Sequence, residues 1–203
     1  MGDEKAGGEA RVRQLRDGGR ETEAVELLLE LYGAEIGGWL IRTLACESDG
    51  REAYSLFLES LWTGMKHFRW ESSLRTWAYR LARNAACRVL RGRGRTRLMS
   101  HSSAEAIAAT PESEIKPWLC TAARTGVDDL LKHLKPQDRM ILILRVDRGM
   151  TWQCVARVVY GEARCRDQRS LIARAAAVRQ RFLRIKRHLR ELAKKRGIIE
   201  MED

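Results

Sequence analysis

Residues 68–91 read FRWESSLRTWAYRLARNAACRVLR, and their spacing decides the fold. On a helical wheel at about 100° per residue, Leu74, Trp77, Ala78, Leu81, Ala85 and Val89 fall on one face. Thr76, Arg80, Arg83, Asn84, Cys87 and Arg91 fall together on the opposite one. The spacing predicts an amphipathic helix with a packing face and a cationic face. Ser72 or Ser73 is placed to cap its first turn, and Gly92 and Gly94 are placed to end it. A solvated charged face is the commoner use of such a helix. Three features favour nucleic acid instead. No carboxylate lies among the cations, Asn84 is a side chain able to read a base edge, and the aromatics Phe68 and Trp70 precede the helix.

The charge of the rest of the chain is distributed in the same sense. From Ser72 to Ala104 there is no acidic residue, and a second basic block from Arg164 to Arg196 is broken only by Asp167 and Glu191. With a formal net charge of +11 over 203 residues, two separated basic segments imply two surfaces for a polyanionic partner. The composition, 44% hydrophobic and 32% charged, can fill and cover a globular core, so disorder throughout is excluded. No apolar run approaches the roughly 20 residues of a membrane span. The N-terminal MGDEKAGGEA lacks the order of a signal peptide, so a cytoplasmic protein with no membrane partner is expected. Cys46, Cys87, Cys120, Cys154 and Cys165 form no CxxC pair and lie near no histidine at ligand spacing, which predicts free thiols, no metal site and no cofactor.

Periodicity organises the chain into helices alone. Residues 1–21 are charged and glycine-rich, with no apolar period over 1–20, and are expected to be a disordered arm. Val25, Leu28, Leu29, Tyr32, Ile36, Leu40 and Leu44 predict a first helix, and residues 47–50 a polar break. Tyr54, Phe57, Leu58, Leu61, Trp62 and Met65 predict a second helix before the 74–91 helix. A weakly periodic stretch with Pro111 and Pro117 reads as a linker over 93–126. Beyond it, Pro136 suits the first position of a helix ended by Gly149. Thr151 can cap a helix that stops at Gly161. Leu171, Ala175, Val178, Phe182, Ile185, Leu189 and Leu192 then hold one stripe, which places the start of the last helix near Asp167. The expected fold is all-α: two small helical domains, 22–92 and 127–203, joined by a flexible linker.

The stretch from Phe68 to Asn84 resembles the promoter-melting and minus-ten-recognition region of bacterial extracytoplasmic-function sigma factors, and the likeness continues to Arg91 almost residue by residue. The resemblance implies a sigma region 2 bundle followed by a sigma region 4 helix-turn-helix. It implies that Arg69, Trp70, Glu71, Ser72 and Ser73, with Phe68 and Asn84, form a pocket for a base flipped from the non-template strand. Thr76 shares the recognition face, and Arg80, Arg83, Arg88 and Arg91 track phosphates. Trp70 departs from the family, which usually has a small residue there. Asp49, Glu52, Ser55 and Glu59 would face core RNA polymerase, on a surface where the family's acidic signature is diluted.

In the second domain, Pro136-Gln137-Asp138-Arg139 and the apolar run after it are similar to the start of sigma region 4. Ala156 is the small residue that lets two helices approach closely. Val178 to Lys186 would then be the recognition helix for the minus-thirty-five element, with Arg174, Arg179, Gln180, Arg181, Arg184 and Arg187 toward DNA. Residues 162–177 stand where the family has a short turn, so the extended last helix is a departure. The implied partners are core RNA polymerase, promoter DNA as duplex and as melted non-template strand, and an anti-sigma factor of the kind that commonly wedges between the two domains of family members. The implied function is transcription initiation with no catalytic activity of its own. A polymerase-independent helix-turn-helix regulator would need only the second domain and leaves Phe68 to Arg91 unexplained. A nuclease or recombinase would need a nucleophile or a metal-binding acidic cluster near basic surfaces that are almost free of acid.

Overall fold

Leu28, Tyr32, Ile36, Trp39 and Leu40 are all buried, and the helix that carries them, with acidic Glu21 and Glu23 at its positive end, is the axis of the first half of the molecule. The computed structural model describes residues 2–99 and 130–196. Among the described residues every regular element is helical: α1 (Gly2–Asp17), α2 (Glu21–Leu44), α3 (Glu47–Gly64), α4 (Leu74–Met99), α5 (Pro136–Val146), α6 (Trp152–Tyr160) and α7 (Gln168–Lys195). Short 3₁₀ turns at Met65–His67 and Glu162–Arg164 complete the order. The all-α expectation therefore holds.

The N-terminal arm does not match its reading. Instead of a disordered segment, residues 2–17 form α1, which packs along α2 and buries Val12 and Leu15. Two apolar residues three apart are too weak a period to find from sequence, and the helix owes its place to tertiary contact. Gly8 sits against Leu31, where an added Cβ would come within 2.8 Å of the Leu31 Cδ2. The polar break expected at 47–50 is likewise the first turn of α3. Ala45 ends α2 in the left-handed region, at φ 52°, and Cys46 is extended, so the break is only two residues long. Gly50 lies directly on Ile41, and a Cβ there would stand 2.6 Å from its Cγ1.

α4 runs through Gly92 and Gly94 to Met99 rather than stopping at them. A glycine inside a helix costs about 1 kcal/mol but ends it only where the backbone turns left-handed, and neither glycine has positive φ. Residues 93–99 of the expected linker are thus helical, and 100–126 lie outside the described residues.

The second half follows its punctuation closely. Pro136 occupies the first turn of α5, and Gly149, at φ 62°, follows that helix. The Thr151 hydroxyl accepts from the Cys154 N–H at 3.3 Å to cap α6, and Gly161, at φ 82°, ends it. Asp167 caps α7 by accepting from the Ser170 N–H at 2.8 Å, so the last helix begins where its apolar stripe places it. The fully buried Ile141, Leu144, Val155, Ala156 and Val178 form the core of this half. The two halves are packed together, α5 across α2 and α6 across α4.

Candidate nucleic-acid interface

The site is built on α4 and the loop before it. Ser73 caps α4 by accepting from the Thr76 N–H at 3.2 Å, and its hydroxyl pairs with the Thr76 hydroxyl at 2.8 Å. Below the loop, Phe68 stacks on Trp77 with centroids 4.6 Å apart. Both are 4% exposed, which fixes the loop's start to the core. α2 anchors α4 from beneath: Trp39 meets Tyr79 edge to face at 5.3 Å, and the Tyr79 hydroxyl donates to Glu35 at 2.9 Å. Burial, followed by the Glu35 charge, pushes the Tyr79 phenol far above its usual range. Glu35 also holds Arg75 in an ion pair.

Three residues expected to face a partner are interior. Phe68 is core, Thr76 is 2% exposed, and Asp49, 5% exposed, is paired with Arg93 at 2.7 Å. The wheel misplaced Thr76 because α4 buries more than one stripe. Tyr79, Ala82 and Ala86 are covered along with Trp77, Ala78, Ala85 and Val89, since α2, α3 and α6 all pack on this helix. Asp49 was misplaced because it belongs to a helical turn instead of a loop.

What remains outward is a narrow strip. Asn84, Arg88 and Arg91 are exposed and Arg83 is half-buried, with its Nη1 donating to the Asn84 Oδ1 at 3.3 Å. Among the described residues no carboxylate is paired with Arg83, Arg88 or Arg91. Arg88 and Arg91 share a groove of about 580 Å³ with Glu52 and Leu56 of α3. Glu52, Ser55 and Glu59 are exposed along α3. In the loop, Arg69, Glu71 and Ser73 are exposed, while Ser72 and Trp70 are half-buried. Trp70 adopts φ 58°, a left-handed backbone that a bulky residue takes only when its surroundings hold it there. Its ring lies 4.7 Å from Phe68 and carries the Arg13 guanidinium at 5.3 Å.

Arg80 is not part of the open strip. It is paired with Glu162, which also holds Arg157 at 2.7 Å, and Arg157 in turn donates to the Glu71 carbonyl at 3.3 Å. Burial lowers the Arg80 guanidinium pKa. Further along the same contact, Arg148 donates to the Glu35 carbonyl at 3.2 Å, and Arg42 pairs with Asp147. The second half thereby covers the N-terminal part of the α4 face. No motif in the sequence marks Glu162 for this role. It is one of few acids near a basic block, the only signal that could have singled it out.

On α7, Arg174, Arg179, Gln180, Arg184 and Arg187 are exposed, with Arg174 over the Tyr160 ring at 4.9 Å. Arg181 is instead a strut to α5, donating to Asp138 at 2.6 Å and to Gln137 at 3.3 Å. Phe182 and Trp152 meet edge to face at 5.2 Å beneath this surface. None of the described helices is long and apolar enough to cross a membrane, and no acidic, histidine or cysteine cluster among the described residues could hold a metal.

Comparison with known proteins gives this geometry a lineage. The family model for sigma-70 region 2 matches residues 28–96, the span from α2 through most of α4. The chain is 27% identical over 143 residues to the RNA polymerase sigma factor YlaC of Bacillus subtilis (strain 168), covering 69% of this chain and 82% of that protein. In fold it is similar to the sigma factor RpoE of Bartonella quintana, solved in complex with the anti-sigma factor NepR. That likeness has a TM-score of 0.59 at 19% identity and covers 82% of this chain and 94% of the other.

Proposed function

We propose that this chain is an extracytoplasmic-function sigma factor of the sigma-70 superfamily and reads the minus-ten element with the outward strip of α4 and the loop ahead of it. The observation that carries this is the outward strip of Arg83, Asn84, Arg88 and Arg91, whose arginines pair with no carboxylate among the described residues, inside the segment that matches region 2. Asn84 is the neutral member and can pair with a base edge, whereas the arginines supply the salt-dependent grip on phosphates. Arg69 to Ser73 would take the unstacked base. Unstacking costs a few kcal/mol, which a snug pocket and cationic support can supply without ATP.

The minus-thirty-five element would meet α7 through Arg174, Arg179, Gln180, Arg184 and Arg187, with Arg181 setting the angle of α7 against α5. Core RNA polymerase would take the exposed face of α3 carrying Glu52, Ser55 and Glu59. Arg80 joins the phosphate contacts only when Glu162 releases it, so a contact at that position requires this ion pair to open. An anti-sigma factor is a further partner on this reading, as it is for the Bartonella quintana protein. The function is non-enzymatic.

The test is reconstitution. The purified chain is mixed with sigma-free core polymerase and genomic DNA, and transcript starts are mapped. Specific starts that share upstream elements are expected. A chain that does not bind core overturns the proposal.

A further inference from the structure

The loop from Arg69 to Ser73 is short, yet it holds a tryptophan in left-handed backbone, a conformation that needs support from outside the loop. That support comes from α1. At the start of the loop, the Arg16 guanidinium donates to the Phe68 carbonyl. At its end, the Glu9 carboxylate accepts from the Arg75 N–H at 3.2 Å, occupying the N-terminus of α4 from another helix. Glu9 is itself held by the Tyr32 hydroxyl, which donates to the same oxygen at 2.8 Å. Between these points, the Arg13 and Arg16 guanidiniums lie over the Trp70 ring at 5.3 and 6.0 Å from its centroid. α1 is held to α2 by the buried Val12 and Leu15. The region 2 match begins only at residue 28, so Glu9, Val12, Arg13, Leu15 and Arg16 all lie ahead of it.

We propose that α1 is a clasp for the base-capturing loop, with Arg16 and Glu9 as positioning residues that hold its two ends and Trp70 as the side chain they set. The proposal rests on the minus-ten reading of that loop. Arg16 acts through the Phe68 carbonyl, and Glu9 through the first turn of α4. Neither has to touch DNA. A buried donor or acceptor that loses its partner is left unsatisfied, so removing either group frees one end of the loop. With the guanidiniums and Phe68 both held against it, the ring becomes a wall of the pocket and sets which base fits.

Two measurements on the full chain test this. The first is amide hydrogen exchange of residues 69–75 in the wild type, Arg16→Ala, Arg16→Lys and Glu9→Gln. Arg16→Ala should speed exchange in this segment by about tenfold or more. Arg16→Lys, which keeps a donor, and Glu9→Gln, which keeps an acceptor, should give intermediate values, and exchange in α3 should not change. Unchanged exchange at 69–75 overturns the clasp. The second is selection of single-stranded DNA from a random-sequence pool by each variant assembled with core polymerase, followed by sequencing of the bound fraction. Arg16→Ala should lose about tenfold in affinity and lose the base preference at one position, with Arg16→Lys restoring part of both. Faster exchange with an unaltered selected sequence overturns the positioning role. A wild type that selects no sequence overturns the minus-ten reading and the positioning role with it, while the exchange result still stands on its own.

Discussion

α4 and α7 are both long, arginine-rich helices, and the molecule treats them in opposite ways. α4 is enclosed: α2, α3 and α6 pack on it, its start is tied to α1, and from Leu74 to Arg91 only Asn84, Arg88 and Arg91 are exposed. α7 is a ridge, burying Leu171, Ala175, Val178, Ile185 and Ala193 along 28 residues and leaving the arginines around them open. An enclosed helix offers one strip in one orientation, which suits reading a particular base. An open ridge suits a groove, where several neighbouring cations can share the phosphates. Under the proposed function, similar composition would serve different tasks according to how many sides of the helix are covered.

Core truncation should separate the two most strongly. Trp77→Ala removes a 4% exposed ring stacked on Phe68, and a loss of roughly 3–5 kcal/mol is expected in urea unfolding. Phe182→Ala, from a half-buried ring on the ridge, should cost less than half as much. Equal losses would break the comparison.

Salt dependence should sharpen it. Removing one phosphate contact flattens the slope of log affinity against log salt by about 0.7 for a single strand and about 0.9 for duplex DNA. In the assembled holoenzyme, Arg88→Ala should flatten only the slope for single-stranded DNA, and Arg184→Ala only that for duplex DNA. Titrations over a range of salt concentrations read both. Either variant acting on the other substrate would contradict the division of labour.

A smaller effect is expected from the cover over α4. Glu162→Gln removes the charge that pairs Arg80, so the chain without polymerase should bind single-stranded DNA more tightly, by about 1 kcal/mol. Fluorescence anisotropy with a labelled strand would show it. Unchanged or weaker binding would mean that Glu162 does not compete with DNA.

The smallest concerns the start of the ridge. Hydrogen bonds from Ser170 hold the Asp167 carboxyl below the usual carboxylate range. A depressed folded-state pKa means that this cap contributes above the ordinary carboxylate pKa and is lost as pH falls through the lower folded value. The first turn of α7 should fray in that acid window, seen as faster amide exchange at residues 168–171, and Asp167→Asn should remove the pH dependence. Fraying that begins at neutral pH would contradict the assignment.

The sequence disclosed most where one local rule was sufficient. Thr151 and Asp167 cap their helices, Gly161 turns the chain, and a single narrow stripe set the start of α7 within a residue. It disclosed least where neighbours from far along the chain decide. Thr76 lies on the polar side of an ideal wheel but is buried. Asp49 looked like a loop residue and is an interior partner of Arg93. The arm showed no period and is α1. The candidate site divides in the same way. Asn84, Arg88 and Arg91 were legible as an outward face, because position on one helix fixes them. The pairing of Arg80 with Glu162 and the grip of Arg16 on Phe68 were not, because each joins residues more than fifty apart in sequence.

The most direct test of the α4 assignment is the sequence discrimination of the holoenzyme on single-stranded DNA, measured for the wild type and for Asn84→Ala with core binding checked in parallel. The wild type should prefer its own minus-ten strand over a scrambled one. Asn84→Ala should lose about 1–3 kcal/mol of that preference with core binding and salt slope unchanged. Undiminished discrimination, or a loss that comes with failure to bind core, would contradict the claim that this strip reads the promoter.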